Sequence, residues 1–194
     1  MNALRGCAVA LLASSLFGCA HQIVITPELR SIERPAAAPT DKKVGYYISS
    51  ADRAAKVTTA GGGGDKVSYY PYKELEPALQ KVLFNVFKEV QSVDSPNDAA
   101  YLAQHGIAYV FVPLIKTDSS SSGVFTWMPT HFEVSLTCTA YDSNGAQIWK
   151  QQLSGSGESE FSELKGDFSA AARKASLKVF RDLQSAVSAA PELH

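Results

Sequence analysis

Several things are scarce in this sequence, and each scarcity closes off a class of function. Charge of one sign is missing, because 18 Lys and Arg stand against 19 Asp and Glu for a formal net charge of −1. A nucleic-acid partner is therefore not expected, since such binding needs a dense cationic footprint to neutralise phosphates. Cysteine is scarce too, with Cys7, Cys19 and Cys138 the whole complement, which rules out a disulfide framework for a domain holding only Cys138. The four histidines, His21, His105, His131 and His194, show no metal-ligand spacing. No nucleophile elbow, His-Glu-x-x-His pair or dinucleotide fingerprint is written in the chain. No period of 20 to 50 residues recurs, which excludes a solenoid. No run is long enough to span a bilayer: the apolar stretch Cys7 to Phe17 covers 11 residues, about 16 Å of helix against roughly 30 Å of hydrocarbon.

What is present is the composition of an ordinary globular protein, 45% hydrophobic and 10% aromatic. Roughly 150 residues suffice to bury about 70% of the surface their unfolded chain exposes, so no cofactor or metal is needed for folding. The amino terminus carries an address. Arg5 precedes the apolar run, which ends in Gly18 and Cys19, the three-part build of a secretory signal. Its end, Leu16-Phe17-Gly18-Cys19, resembles the bacterial lipobox, in which a small residue precedes a cysteine that is diacylated and becomes the mature amino terminus. That resemblance implies cleavage after Gly18, diacylglycerol and palmitate on Cys19, and, because Ala20 and not Asp follows, the periplasmic face of the outer membrane of a Gram-negative bacterium. Two or three acyl chains would hold it effectively permanently. The alternative is a plain signal in which Cys19 is incidental.

The expected organisation is a signal over 1–18, a lipidated amino terminus and extended tether over 19–41, and one periplasmic domain over 42–190. The tether reading rests on Pro27, Pro35, Pro39 and Ala36 to Ala38, and such a segment reaches up to roughly 60 Å. A strand is expected at Val44 to Ser49. Leu75, Leu79, Val82, Leu83, Val86 and Val90 share one helical face between Lys73 and Val90, with Pro77 limiting where that helix starts. Val90 to Val93 reads as a strand, and Ser95 with Pro96 as the start of a short helix that Gly106 stops. Ile107 to Ile115 reads as a strand buried on both faces, with a bulge or end at Pro113. Phe132 to Tyr141 alternates and pairs through the Asp142-Ser143-Asn144-Gly145 turn with Gln147 to Leu153. Gly155 and Gly157 are expected to loosen the end of that second strand. Phe168, Ala171, Ala172, Ala175, Val179, Leu183 and Val187 line a final helix. The fold class that follows is α+β: a mixed sheet with an antiparallel carboxy-terminal hairpin and two longer helices packed on it.

Chemistry is less legible. Gly61 to Gly64 followed by Asp65-Lys66 lacks the Gly-Lys-Ser/Thr of a phosphate loop and reads as a mobile loop. Cys138 lies on the apolar side of its strand, as a small hydrophobe. Two aromatic segments are candidate partner contacts, Tyr69, Tyr70 and Tyr72 in one and Phe125, Trp127 and Met128 in the other, since Tyr and Trp offer wide contact area with few rotatable bonds. The competing reading of both is half-buried packing beside strands. An enzyme or carrier would need a cleft where His131, Asp118 and Glu133 converge.

From residue 44 to about 188, the element order together with Cys19 resembles small envelope lipoproteins whose domain is like the amino-terminal domain of TolB, a group that includes curli-secretion and Pel polysaccharide-export lipoproteins. The resemblance implies a non-enzymatic, membrane-anchored accessory or scaffold without cofactor or metal, able to form a homo-oligomer and to bind an envelope protein partner. A periplasmic hydrolase or carrier near His131, or a subunit of a secretion ring, are the alternatives.

Overall fold

The computed structural model describes residues 20–60, 65–121 and 128–194 and builds them into two β-sheets and five α-helices. In chain order these are β1 (His21–Gln22), β2 (Thr40–Tyr46), α1 (Ser50–Ala54), β3 (Val57–Ala60), β4 (Lys66–Tyr69), α2 (Pro71–Val86), β5 (Phe87–Ser92), α3 (Ala99–Gln104), β6 (Ile107–Ser120), β7 (His131–Asp142), β8 (Gln147–Glu158), α4 (Phe161–Leu164) and α5 (Ala170–Ser188). The larger sheet has the order β5-β2-β6-β7-β8, parallel from β5 to β6 and antiparallel from β6 to β8. A smaller sheet, β1-β4-β3, goes beyond the single mixed sheet that was expected. The α+β class holds, and α2 and α5 are the two longer helices, packed on one face of the larger sheet.

α2 begins at Pro71, not after Pro77, and carries Pro77 inside it. The proline removes one helical hydrogen bond, and the buried stripe of Leu75, Ala78, Leu79, Val82, Leu83 and Val86 outweighs that loss. Phe87 caps α2 and opens β5 directly, so Val90 belongs to the strand although its spacing from Val86 fits a helix. α3 is capped by Asp98, whose Oδ1 accepts from the Tyr101 amide at 3.0 Å, and not by Ser95. Gly106 ends it with φ 65°, the left-handed stop that was expected.

β6 is covered on both faces in its first half: Ile107 and Val110 join Val93 and Leu102 in a small second core, while Phe111 faces the main one. Pro113 neither bulges nor ends the strand, and its register with Cys138 is unbroken. The reason is the length of β2, whose pairing stops at Phe111, so a missing amide on that side deprives no neighbour. Beyond that point the smaller sheet and α2 cap the exposed edge of β6. The Tyr72 hydroxyl accepts from the Ile115 amide at 3.1 Å, the Tyr69 hydroxyl donates to Thr117 Oγ1 at 3.0 Å, and Thr59 bonds Ser119 through their hydroxyls.

Two expectations are corrected by packing. Gly155 and Gly157 do not loosen β8; they admit α5. A Cβ on Gly157 would lie 2.1 Å from the Ala171 carbonyl oxygen, and one on Gly155 would lie 2.4 Å from that of Ala175. The backbones of strand and helix meet there because Gly faces Ala. The segment before β2 is likewise no free tether. Ile23, Ile25 and Ile32 are fully buried, each contributing roughly 2 kcal/mol. The Val24 amide donates to Ser169 Oγ at 2.9 Å, the Ile25 amide to Glu74 Oε2 at 2.7 Å, and Arg181 Nε to the Ser31 carbonyl at 2.9 Å. Asn85 Nδ2 adds a bond to the Ile32 carbonyl at 3.2 Å. Extended this segment is, but it is strapped across α2 and α5, and the fold runs from His21 to Leu193.

Candidate functional site

With α2 and α5 on one face of the larger sheet, the opposite face of β6, β7 and β8 is left to solvent beyond the small second core that covers the first half of β6. Side chains alternate along a strand, so the residues between the core positions share that face: Lys116, Asp118 and Ser120 on β6, His131, Glu133 and Ser135 on β7, and Lys150, Ser154, Ser156 and Glu158 on β8. The register sets Asp118 opposite Glu133, and His131 between Ser120 and Glu158. Thus the three residues expected to converge in a cleft do share one patch. His131 Nε2 lies 3.2 Å from Glu133 Oε1, and its Nδ1 lies 3.9 Å from Glu158 Oε1.

Among the described residues that patch is open and forms no cleft. The side chains of Glu133 and Glu158 are 58% and 85% exposed, so water screens the pair instead of being excluded from it, and the electrostatic gain of a closed catalytic site is absent. Both partners of the imidazole are exposed carboxylates. Beside it lies a shallow depression of about 310 Å³ lined by Glu133, Ser135, Ser154, Gly155, Ser156 and Lys178. Among the described residues no group of three or more His, Cys, Asp or Glu could hold a metal.

The aromatic candidates divide. Tyr69 is wholly buried, edge-on to Phe132 with ring centroids 5.2 Å apart; it is a core residue, which corrects its assignment as a partner contact. Tyr72 is half-buried, with its hydroxyl committed to the Ile115 amide. Tyr70 is half-buried at the amino end of α2, where its amide bonds Glu74 Oε1 at 3.0 Å and Lys73 lies over its ring. Met128 is half-buried, and Phe125 and Trp127 lie outside the described residues, as do Gly18, Cys19 and Gly61 to Gly64. Cys138 is fully buried, and desolvation pushes its thiol up to about 12, the signature of a packing residue.

No family model matches the chain, and no curated protein matches it in sequence. Its fold has counterparts among solved structures. It is similar to a protein of Xanthomonas campestris from the family DUF330, at 11% identity and a TM-score of 0.51, with 89% of this chain and 91% of that one covered. It is also similar to PelC of Paraburkholderia phytofirmans, solved as a dodecamer, at 13% identity and a TM-score of 0.45, with 80% and 91% covered. The Xanthomonas protein and this chain share one fold over nearly their whole lengths.

One charged cluster escaped the sequence reading because its members are far apart in the chain. Arg53 Nε and Nη2 both donate to the Glu76 carboxylate at 2.8 Å, the Tyr46 hydroxyl donates to Glu76 Oε1 at 2.9 Å, and Gln80 donates to that hydroxyl. The Arg53 hydrogen bonds hold the Glu76 carboxyl below its usual range, and burial pushes the Tyr46 hydroxyl upward. This cluster lies at the carboxyl ends of β2 and β5, where open α/β sheets tend to bind ligands. Here its hydrogen bonds are spent internally, and it clamps α1 to α2.

Proposed function

We propose that this chain is a lipoprotein of the Gram-negative envelope, cleaved after Gly18, acylated on Cys19 and held at the periplasmic face of the outer membrane, where it acts without catalysis by contact with other envelope components. The observation that carries this reading is the ending Gly18-Cys19 of a short charged and apolar segment, set just before β1, which starts at His21 and pairs with Val67. An ordinary α+β body, a sheet face that is open among the described residues, and the half-buried side chains of Tyr70 and Met128 support a role in contact. Trp127 and Phe125 extend that contact set on sequence grounds.

Mass spectrometry of the native product tests the anchor. The expected species begins at Cys19 and carries diacylglyceryl and a further acyl group, and Cys19→Ala accumulates as unprocessed precursor. An unmodified thiol at Cys19, or a polypeptide still beginning at Met1, refutes the reading. Periplasmic crosslinking of wild type against Tyr70→Ala with Trp127→Ala tests the contact role, with loss of a crosslinked species expected, and native mass distinguishes a ring subunit from a monomer. A small-molecule site remains the second reading, favoured by the depression beside Glu133 and Lys178.

A further inference from the structure

Five large hydrophobic side chains among the described residues are exposed, and two of them, Val24 at 42% and Phe168 at 49%, lie at the same end of the domain. The bond from the Val24 amide to Ser169 Oγ sets their backbones together. Leu114, Phe84 and Tyr101 lie elsewhere, in the middle of β6, near the end of α2 and on α3. The Val24 and Phe168 pair stands at the end of the domain where the chain enters. His21 is level with Val67, which pairs Thr59, and Thr59 touches Ser119 near the end of β6. β7 starts and β8 finishes at that same end, since His131 pairs both Ser120 and Glu158.

We infer that this end of the domain rests on the lipid surface, with Val24 and Phe168 buried in the headgroup region. The inference stands on the proposed acylation of Cys19 and deepens it. One residue, Ala20, separates Cys19 from His21, and the two steps span at most about 7 Å, where a free tether would have allowed roughly 60 Å. An acyl chain inserted at Cys19 therefore leaves the entry end no room to stand off, and the nearest exposed apolar side chains meet the interface. Charge does not drive the contact. The exposed charges at this end are of both signs, with Lys66 and Lys165 among Asp65, Glu158 and Glu160 and no excess of cations, and His21 already faces Asp65 at 3.4 Å. Insertion of apolar groups then carries the contact, with little dependence on anionic lipid or salt.

The test uses the full acylated chain, purified in detergent and reconstituted into phosphatidylethanolamine vesicles containing spin-labelled lipid. With Cys138 buried and Cys19 acylated, one added cysteine takes a fluorophore cleanly. Phe168→Cys reports the entry end, and Asn144→Cys, in the β7 to β8 turn, reports the opposite end, about 36 Å away along β7. Quenching by the lipid label is expected to be at least about three-fold stronger at position 168 than at 144, and unchanged when phosphatidylglycerol replaces a third of the lipid. Equal quenching, or stronger quenching at 144, on a chain whose mass shows acylation overturns the orientation and leaves the anchor standing. A chain that lacks acyl mass and stays off the vesicles overturns both.

Discussion

Replacing Gly157 by Ala adds one methyl group to a strand, a change that ordinarily helps a strand by roughly 0.5–1 kcal/mol. Here it meets backbone. The new Cβ would sit 2.1 Å from the Ala171 carbonyl oxygen and 2.7 Å from the Ala175 amide nitrogen, and ordinary contact begins at 3.4 Å. No side-chain rotation relieves this, so α5 must withdraw by about 1.3 Å or the strand must buckle. Withdrawal opens gaps beneath Ala172, Ala175 and Val179, and a gap of 0.5–1 Å already forfeits about a quarter to a half of each dispersion contact. The expected destabilisation is about 3 kcal/mol, at the top of the usual range for overpacked cores. For a domain of this size that lowers Tm by roughly 6–12 °C. Calorimetry of purified mature protein measures it, with Gly166→Ala as the control, because the nearest atom there is 3.8 Å away. Ala171→Gly should not rescue Gly157→Ala, since the clashing atom is a carbonyl oxygen that every residue carries. A Tm for Gly157→Ala within about 2 °C of wild type, or rescue by Ala171→Gly, would refute the close-packing argument.

Other consequences can be checked alongside. Ile32→Ala is expected to cost about 3 kcal/mol in urea unfolding, as for a buried isoleucine, whereas a residue of a free tether would cost nothing. Cys138, with its thiol pushed up to about 12, should stay unmodified by a disulfide reagent at pH 8 in the folded protein and react fully in guanidinium; rapid native labelling would contradict its burial. Glu76→Gln should cost about 1–2 kcal/mol at pH 7, discounted because Arg53 is one third exposed. The Glu76 carboxyl is held below its unfolded value, so the stabilisation is complete above the unfolded carboxylate range and drains away as pH falls through the folded value. The stability difference between wild type and Glu76→Gln should therefore shrink from pH 7 to pH 3, and an equal difference at both would remove the pair from the account.

Periodicity carried the larger elements and failed where two periods coincide or where composition hides burial. The β7 and β8 hairpin and the buried stripe of α5 followed from alternation and from three- and four-residue spacing, although Phe168 fell outside the stripe and is exposed. Val90 misled because a four-residue step from Val86 also fits a strand. The strap over 21–39 misled because prolines report an extended backbone but not what the backbone touches. A finer signal was present: Ile23 and Ile25 are buried and Val24 is exposed, a two-residue alternation that marks a packed strand-like segment. Gly155 and Gly157 also had a counterpart in the sequence, the small residues Ala171, Ala172 and Ala175, and small facing small marks close approach better than it marks looseness. The candidate site was legible only as residue types. That Asp118, Glu133 and His131 share a patch is fixed by register, and that the patch is unwalled depends on both long helices choosing the other face.

The open sheet face and the proposed orientation bear on each other. β6, β7 and β8 all run between the entry end and the opposite end of the domain. A domain standing on its entry end holds those strands upright, and their open face then looks sideways, along the membrane. That face is largely polar and mixed in charge, with Lys116 and Lys150 beside Asp118, Glu133 and Glu158 and with Leu114 exposed among them, so it is suited to a hydrated protein surface and poorly suited to lipid. In the proposed orientation a division of labour would follow: apolar side chains at one end would meet the bilayer, and the upright face would be left for a neighbour arriving laterally. Acylation at Cys19, as proposed, would make this possible, because so short a leash would remove the rotational freedom that a 20-residue tether would have kept, and a fixed orientation lowers the entropic cost of each lateral contact.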